Sequence, residues 1–147
     1  MNEHKELEFF NDLSIILRIE LTEPTVEVSP CLMNEKATPS AKIKSITASP
    51  EVWEEEADNP RNLTEEELQS TAFCEPEIKL TNLGRVITHK APNGKFFTVA
   101  QLMEAVLETE RQTRGEMKWA GGIDVHHVFF EGIGPGKNNE WLIYWGS

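Results

Sequence analysis

The side chains best suited to chemistry fall in one short segment, Ile123-Asp124-Val125-His126-His127, with Glu131 close behind it. A carboxylate beside an imidazole can share a proton as an acid–base pair. The same two groups can begin a site for a divalent metal. The segment continues through Val128, Phe129 and Phe130 to Glu131 and a loop of Gly, Pro and Asn, which predicts a strand over Ile123–Glu131. Alternation then fixes the faces. Asp124, His126, Val128 and Phe130 share one face, and Ile123, Val125, His127, Phe129 and Glu131 share the other.

On that reading the adjacent histidines point apart, and only a bulge would let both reach one ion. Asp124 and His126 become the productive pair, with their bases ~7 Å apart along the strand. They remain only the start of a metal site. Zinc takes three protein ligands in catalytic sites and four in structural ones, and the further ligands on offer, His89 and Glu131, lie at no defining spacing. His127 reads as a core histidine bonded to the backbone.

No other stretch carries a reaction. The sequence has no nucleophile elbow, zincin helix, Walker loop or dinucleotide fingerprint, and no cofactor is implied. The run Gly132-Ile133-Gly134-Pro135-Gly136 follows one strand and precedes another, so it reads as a hairpin loop rather than a phosphate cradle. Cys31 and Cys74 have no neighbouring cation to activate a thiol and are too few for a disulfide framework.

The elements that must position Asp124 and His126 follow from the flanking pattern. A second strand, Glu140–Trp145, completes a C-terminal β-hairpin. Trp141, Ile143 and Trp145 share one of its faces, and Leu142 and Tyr144 share the other. A strand apolar on both faces is either covered twice or displays a binding surface. Phe130 and Tyr144 are the aromatic residues such a surface would offer.

Upstream, Thr98 and Gln101 form a capping box. Val99, Leu102, Met103, Val106 and Leu107 form an apolar stripe, and Glu110 and Arg114 pair at i,i+4. This predicts a packing helix over 98–114. Thr64 and Glu67 form a second capping box. Glu77–Thr81 and Arg85–His89 read as strands, with a turn at Ala91-Pro92-Asn93-Gly94.

Near the start, Leu7 and Phe10 suit a short inward-facing helix over 3–12. Period-two apolar residues from Leu13 to Leu21 favour a strand, although a longer helix over 3–18 also fits. Further runs at Thr25–Ser29 and Ala41–Thr47 flank a loop at Asn34–Ser40. Ser49 and Pro50 would open a short helix over Glu51–Ala57.

These elements predict a single α+β domain spanning all 147 residues. A largely antiparallel sheet carries the 98–114 helix on one face. The expected core is Val99, Leu102, Met103, Val106, Leu107, Ile123, Val125, Phe129, Trp141 and Ile143.

Charge separates the halves. Residues 1–75 hold 17 acidic and 6 basic side chains, and residues 76–147 hold 8 of each. The whole excess of −11 therefore sits in the first half, densest at Glu54, Glu55 and Glu56. Such a field repels nucleic acid and anionic membranes and favours a basic protein partner. With no apolar run long enough to span a bilayer and no visible signal peptide, the expected setting is the cytoplasm of a bacterial cell. Small acidic inhibitor and immunity proteins of bacteria offer an analogy. The expected function is non-catalytic docking of a protein through the acidic half or the aromatic hairpin. The alternative is a small enzyme or metal-binding domain built around Asp124 and His126.

Overall fold

The computed structural model describes residues 5–22, 42–82, 84–116, 118–119 and 122–147. The run at Thr25–Ser29, the loop at Asn34–Ser40 and Cys31 lie outside the described residues. The first helix, α1 (Leu7–Asn11), buries Leu7 and Phe10 as expected. Period-two alternation then holds from Leu13 to Ile19: Leu13, Ile15 and Leu17 are buried and Ile16 is exposed. The run divides into β1 (Ser14–Ile15) and β2 (Arg18–Leu21), which pair with different strands. β2 lies antiparallel to β3 (Ile43–Thr47).

The expected helix over Glu51–Ala57 is instead a hairpin. β4 (Pro50–Glu54) pairs antiparallel with β5 (Asn59–Asn62), and β1 adds to the other side of β4. Val52 and Trp53 are residue types that favour a pleated strand over a helix. Asp58 adopts a left-handed φ of 52° and turns the chain back. Pro60 faces Trp53 from β5, an edge strand, where its missing N–H breaks no ladder. The Thr64 capping box forms as expected and opens α2 (Glu65–Gln69).

The main sheet has the order β12 (Phe129–Pro135), β13 (Glu140–Gly146), β7 (Glu77–Thr81), β8 (Ile87–Lys90). Its pairs are antiparallel except β13 with β7, which run parallel. Two short ribbons flank it, β6 (Thr71–Phe73) with β9 (Phe97–Thr98) and β10 (Lys118–Trp119) with β11 (Gly122–Ile123).

Helix α3 (Val99–Thr113), opened by the Thr98–Gln101 box, lies on one face of this arrangement. Val99, Leu102, Val106 and Leu107 join Phe10, Ile46, Ile78, Leu80, Phe130, Ile143 and Trp145 in one hydrophobic cluster, with Met103 and Trp141 packed against it. The fold is the expected α+β arrangement, a largely antiparallel sheet with an amphipathic helix and a C-terminal hairpin.

That hairpin departs from expectation in register. Its first strand begins at Phe129, not Ile123, and runs through the glycines to Pro135. The turn lies later, around Asn138 and Asn139, which both have left-handed φ. A bulge at Glu131, between Phe130 and Gly132, resets the alternation. Gly132 has φ +114°, a conformation a side chain would resist. The reset lets Phe130 and Ile133 both face inward. Phe130 is therefore buried, whereas the expected core residues Val125 and Phe129 are 38% and 47% exposed. The other strand keeps its expected faces, with Ile143 and Trp145 buried and Tyr144 exposed.

The β12 edge has a local cover. The Asn11 side-chain amide donates to the Ile133 carbonyl at 3.1 Å and accepts from the Ile133 N–H at 2.9 Å.

Candidate functional site

Residues 124–128 form a loop between β11 and β12, and Asp124 itself takes the chain off the ladder. Its Oδ1 accepts the backbone N–H groups of His126 (2.9 Å) and His127 (3.1 Å). This local closure competes with strand pairing. Alternation therefore does not apply here, and the expected Asp124/His126 pair is not formed through side chains. Asp124 instead pairs with His127, whose Nδ1 lies 2.8 Å from Oδ2. His126 is exposed, and the His127 side chain is 34% exposed rather than a core group. Burial pushes the Asp124 pKa up, but the two backbone donors and the His127 ring outweigh it and hold the carboxyl below its ordinary value.

A buried cation holds this loop. Arg114 and Glu110 are 2% and 0% exposed, with Nε 2.7 Å from Oε1. Arg114 Nη1 donates to the carbonyl oxygens of Asp124 (3.1 Å) and His127 (2.8 Å). Its guanidinium lies 5.5 Å from the centre of the Trp145 ring, and Asn82 donates to the same Glu110 oxygen at 3.2 Å. Sequence spacing identified the Glu110–Arg114 pair but read it as helix support. The missed signal is angular. At 3.6 residues per turn, the buried line through Val99, Leu102 and Val106 continues to Glu110 and Thr113, and both are fully buried.

His89 goes elsewhere. Its Nε2 lies 2.7 Å from the Thr109 hydroxyl on α3. Burial lowers its pKa, against a smaller opposing pull from Glu108. Among the described residues, no three His, Cys, Asp or Glu side chains converge as a metal cluster would require. A cleft of about 930 Å³ lies between α1, the β6–β7 link and the turn of the last hairpin. Asp124, His126, His127 and His89 do not line it.

The remaining sequence candidates separate by exposure. Phe130 meets Phe10 and Trp145 edge to face at 5.4 and 5.5 Å, inside the core, and presents little surface. Tyr144 is 47% exposed, on the opposite face of the hairpin. Glu55 and Glu56 are exposed at the β4–β5 turn. Glu54 turns to the face opposite Trp53 and pairs with Arg61. Arg61 also grips Glu67 with two hydrogen bonds of 2.8 and 3.0 Å. That contact, with the Thr64 N–H, holds Glu67 down at about 2. Trp53, on the opposite face of β4 from Glu54, is 54% exposed, where the expected helix over Glu51–Ala57 is replaced by a strand. Comparisons with protein-family models, curated proteins and solved structures give no match to this chain.

Proposed function

We propose that the protein is a non-catalytic docking protein that engages a basic protein partner through the β4–β5 hairpin. One observation carries the reading: Trp53 stands exposed on a hairpin whose strand and turn supply Glu51, Glu55, Glu56 and Asp58. Tryptophan is over-represented among the side chains that dominate binding energy. Its ring face also attracts Lys and Arg, and the surrounding carboxylates would steer such a partner. Arg61 bound to Glu54 and Glu67 keeps the hairpin in one shape before binding. The test is association kinetics with a purified partner, measured against salt. Trp53→Ala should speed dissociation, and Glu55→Lys with Glu56→Lys should slow association. A partner insensitive to both variants and to salt would overturn the reading.

A second reading, a small acid–base or metal-binding domain, draws support from the Asp124–His127 contact. A carboxylate fixed by two amides and bonded to Nδ1 would orient the ring. Under this reading Zn²⁺ raises the melting temperature of the wild type and not of His127→Gln. Equal responses would remove it.

A further inference from the structure

Asn93 is the only asparagine in the chain that precedes a glycine. That dipeptide is the one most prone to lose its side-chain amide, because a following residue without Cβ leaves its backbone nitrogen unshielded. Both residues are exposed, and nothing lies within 4 Å of where a Gly94 Cβ would stand. The reaction needs only water as co-reactant. The Gly94 nitrogen gives up its proton and attacks Asn93 Cγ. The N–Cγ bond forms, the Cγ–Nδ2 bond breaks, and ammonia leaves with a proton in place of the one lost. Water then opens the cyclic imide at Cγ to give aspartate, or at the main-chain carbonyl to give isoaspartate.

The turn sets the position of both reacting atoms. The Gly94 N–H donates to the Ala91 carbonyl at 2.9 Å. Asn93 keeps a negative φ, so residues 91–94 form a type I turn, with Pro92 presetting its second position. Such a turn holds ψ at about 0° in its third residue, here Asn93. Ring closure needs the Gly94 nitrogen eclipsed with Cβ about the Cα–C bond, and this ψ turns it well away. Asn93 Oδ1 meanwhile accepts the N–H groups of Lys95 (2.8 Å) and Phe96 (2.9 Å). Those donors draw charge toward Oδ1 as an oxyanion hole does, but they also pin the side chain. The fold activates the electrophile and withholds the nucleophile.

We propose that Asn93 is a deamidation site gated by its own turn, shut while residues 91–94 hold together and open when they come apart. The consequence reaches the core. Isoaspartate adds a backbone carbon between β8 and β9 and displaces the acceptor that holds Lys95 and Phe96. Phe97, next in the chain, is 2% exposed and packs on Phe73 with ring centres 6.2 Å apart. Thr98 beyond it caps α3. The isoaspartate product should therefore melt below the wild type, and Asn93→Asp, which keeps Oδ1 in place, should not.

The test incubates the full chain at mildly alkaline pH, native and in guanidinium chloride, and follows residues 91–95 by mass spectrometry after cleavage at Lys90 and Lys95. Ammonia loss at Asn93 should lead that at every other asparagine in the unfolded chain. It should run at least about tenfold slower in the native chain, where it waits on local opening. Hydrogen exchange at the Gly94 amide reads the same opening without any substitution, and its protection should match that slowing. Pro92→Gly, at an exposed position, should carry the native rate toward the unfolded one. Equal native and unfolded rates, Gly94 protection that does not match the slowing, or a folded Pro92→Gly chain that reacts no faster than wild type would each overturn the gate. An unfolded chain that keeps Asn93 intact while another asparagine reacts would overturn the site.

Discussion

The β4–β5 and β12–β13 hairpins put the same residue type to opposite uses. In β12–β13, Trp145 is 9% exposed and sits between Phe130 and the Arg114 guanidinium. In β4–β5, Trp53 is 54% exposed and faces Pro60 across the pair. The difference lies in what stands behind each strand. The last hairpin joins a four-stranded sheet backed by α3, so each inward side chain enters the shared core. The acidic hairpin belongs to a separate three-stranded sheet with Glu51, Glu54 and Asp58 along it. Tryptophan is a packing residue in the one and a displayed residue in the other.

The sharpest way to break this contrast is at the ion pair beneath the last hairpin. Arg114→Ala should cost about 3–5 kcal/mol in urea unfolding, because it strands a buried carboxylate. A Glu110→Leu/Arg114→Met double variant should recover much of that loss. A loss below about 1 kcal/mol for the single variant would show that water reaches Glu110.

Next come the two tryptophans. Trp145→Ala should destabilise by about 3–5 kcal/mol, and Trp53→Ala by less than about 1 kcal/mol. Similar losses at both positions would erase the distinction.

A smaller effect separates the histidines. His127→Ala should cost about 1 kcal/mol through its bond to Asp124, and His126→Ala should be neutral within about 0.5 kcal/mol. The reverse order would mean that His126 holds the loop.

The smallest effect is on the acidic side. Glu67 is depressed from 4.5 to about 2 in the folded protein. Its contribution is present above the unfolded value and is lost as pH falls through about 2. The stability gap between wild type and Glu67→Gln should therefore close as the pH falls from 5 toward 2. A constant gap would mean that the Arg61 contact does not favour the charged form.

Local signals were legible from sequence wherever the chain's own neighbours decide structure. Both capping boxes, the Ala91–Gly94 turn, the α3 stripe and the faces of Trp141–Trp145 followed from spacing. The fold class followed from their order. What failed did so through one-residue events that spacing hides. The Glu131 bulge inverted the inward set at Phe129 and Phe130. The Asp124 carboxylate captured two amides and ended the supposed strand, which moved its partnership from His126 to His127. At Glu51–Ala57, the Ser-Pro helix signal lost to pairing with a strand that begins beyond the turn. Pairing across a turn is a nonlocal term that no window over 51–57 contains.

The Asn11 amide also bears on how the molecule behaves in company. With one acceptor and one donor aimed at Ile133, it acts as a strand a single residue long. Pro135, further along β12, offers no N–H at all. An incoming copy that tried to extend the sheet would find those positions filled or mute. Edge-to-edge growth, the usual route from an open sheet to aggregate, is thereby obstructed along β12 by one side chain from the first helix, with the Ile16–Phe129 bridge closing the start of the same strand. Asn11→Ala, harmless to the core by its position, would expose that edge and should lower the concentration at which the protein begins to self-associate.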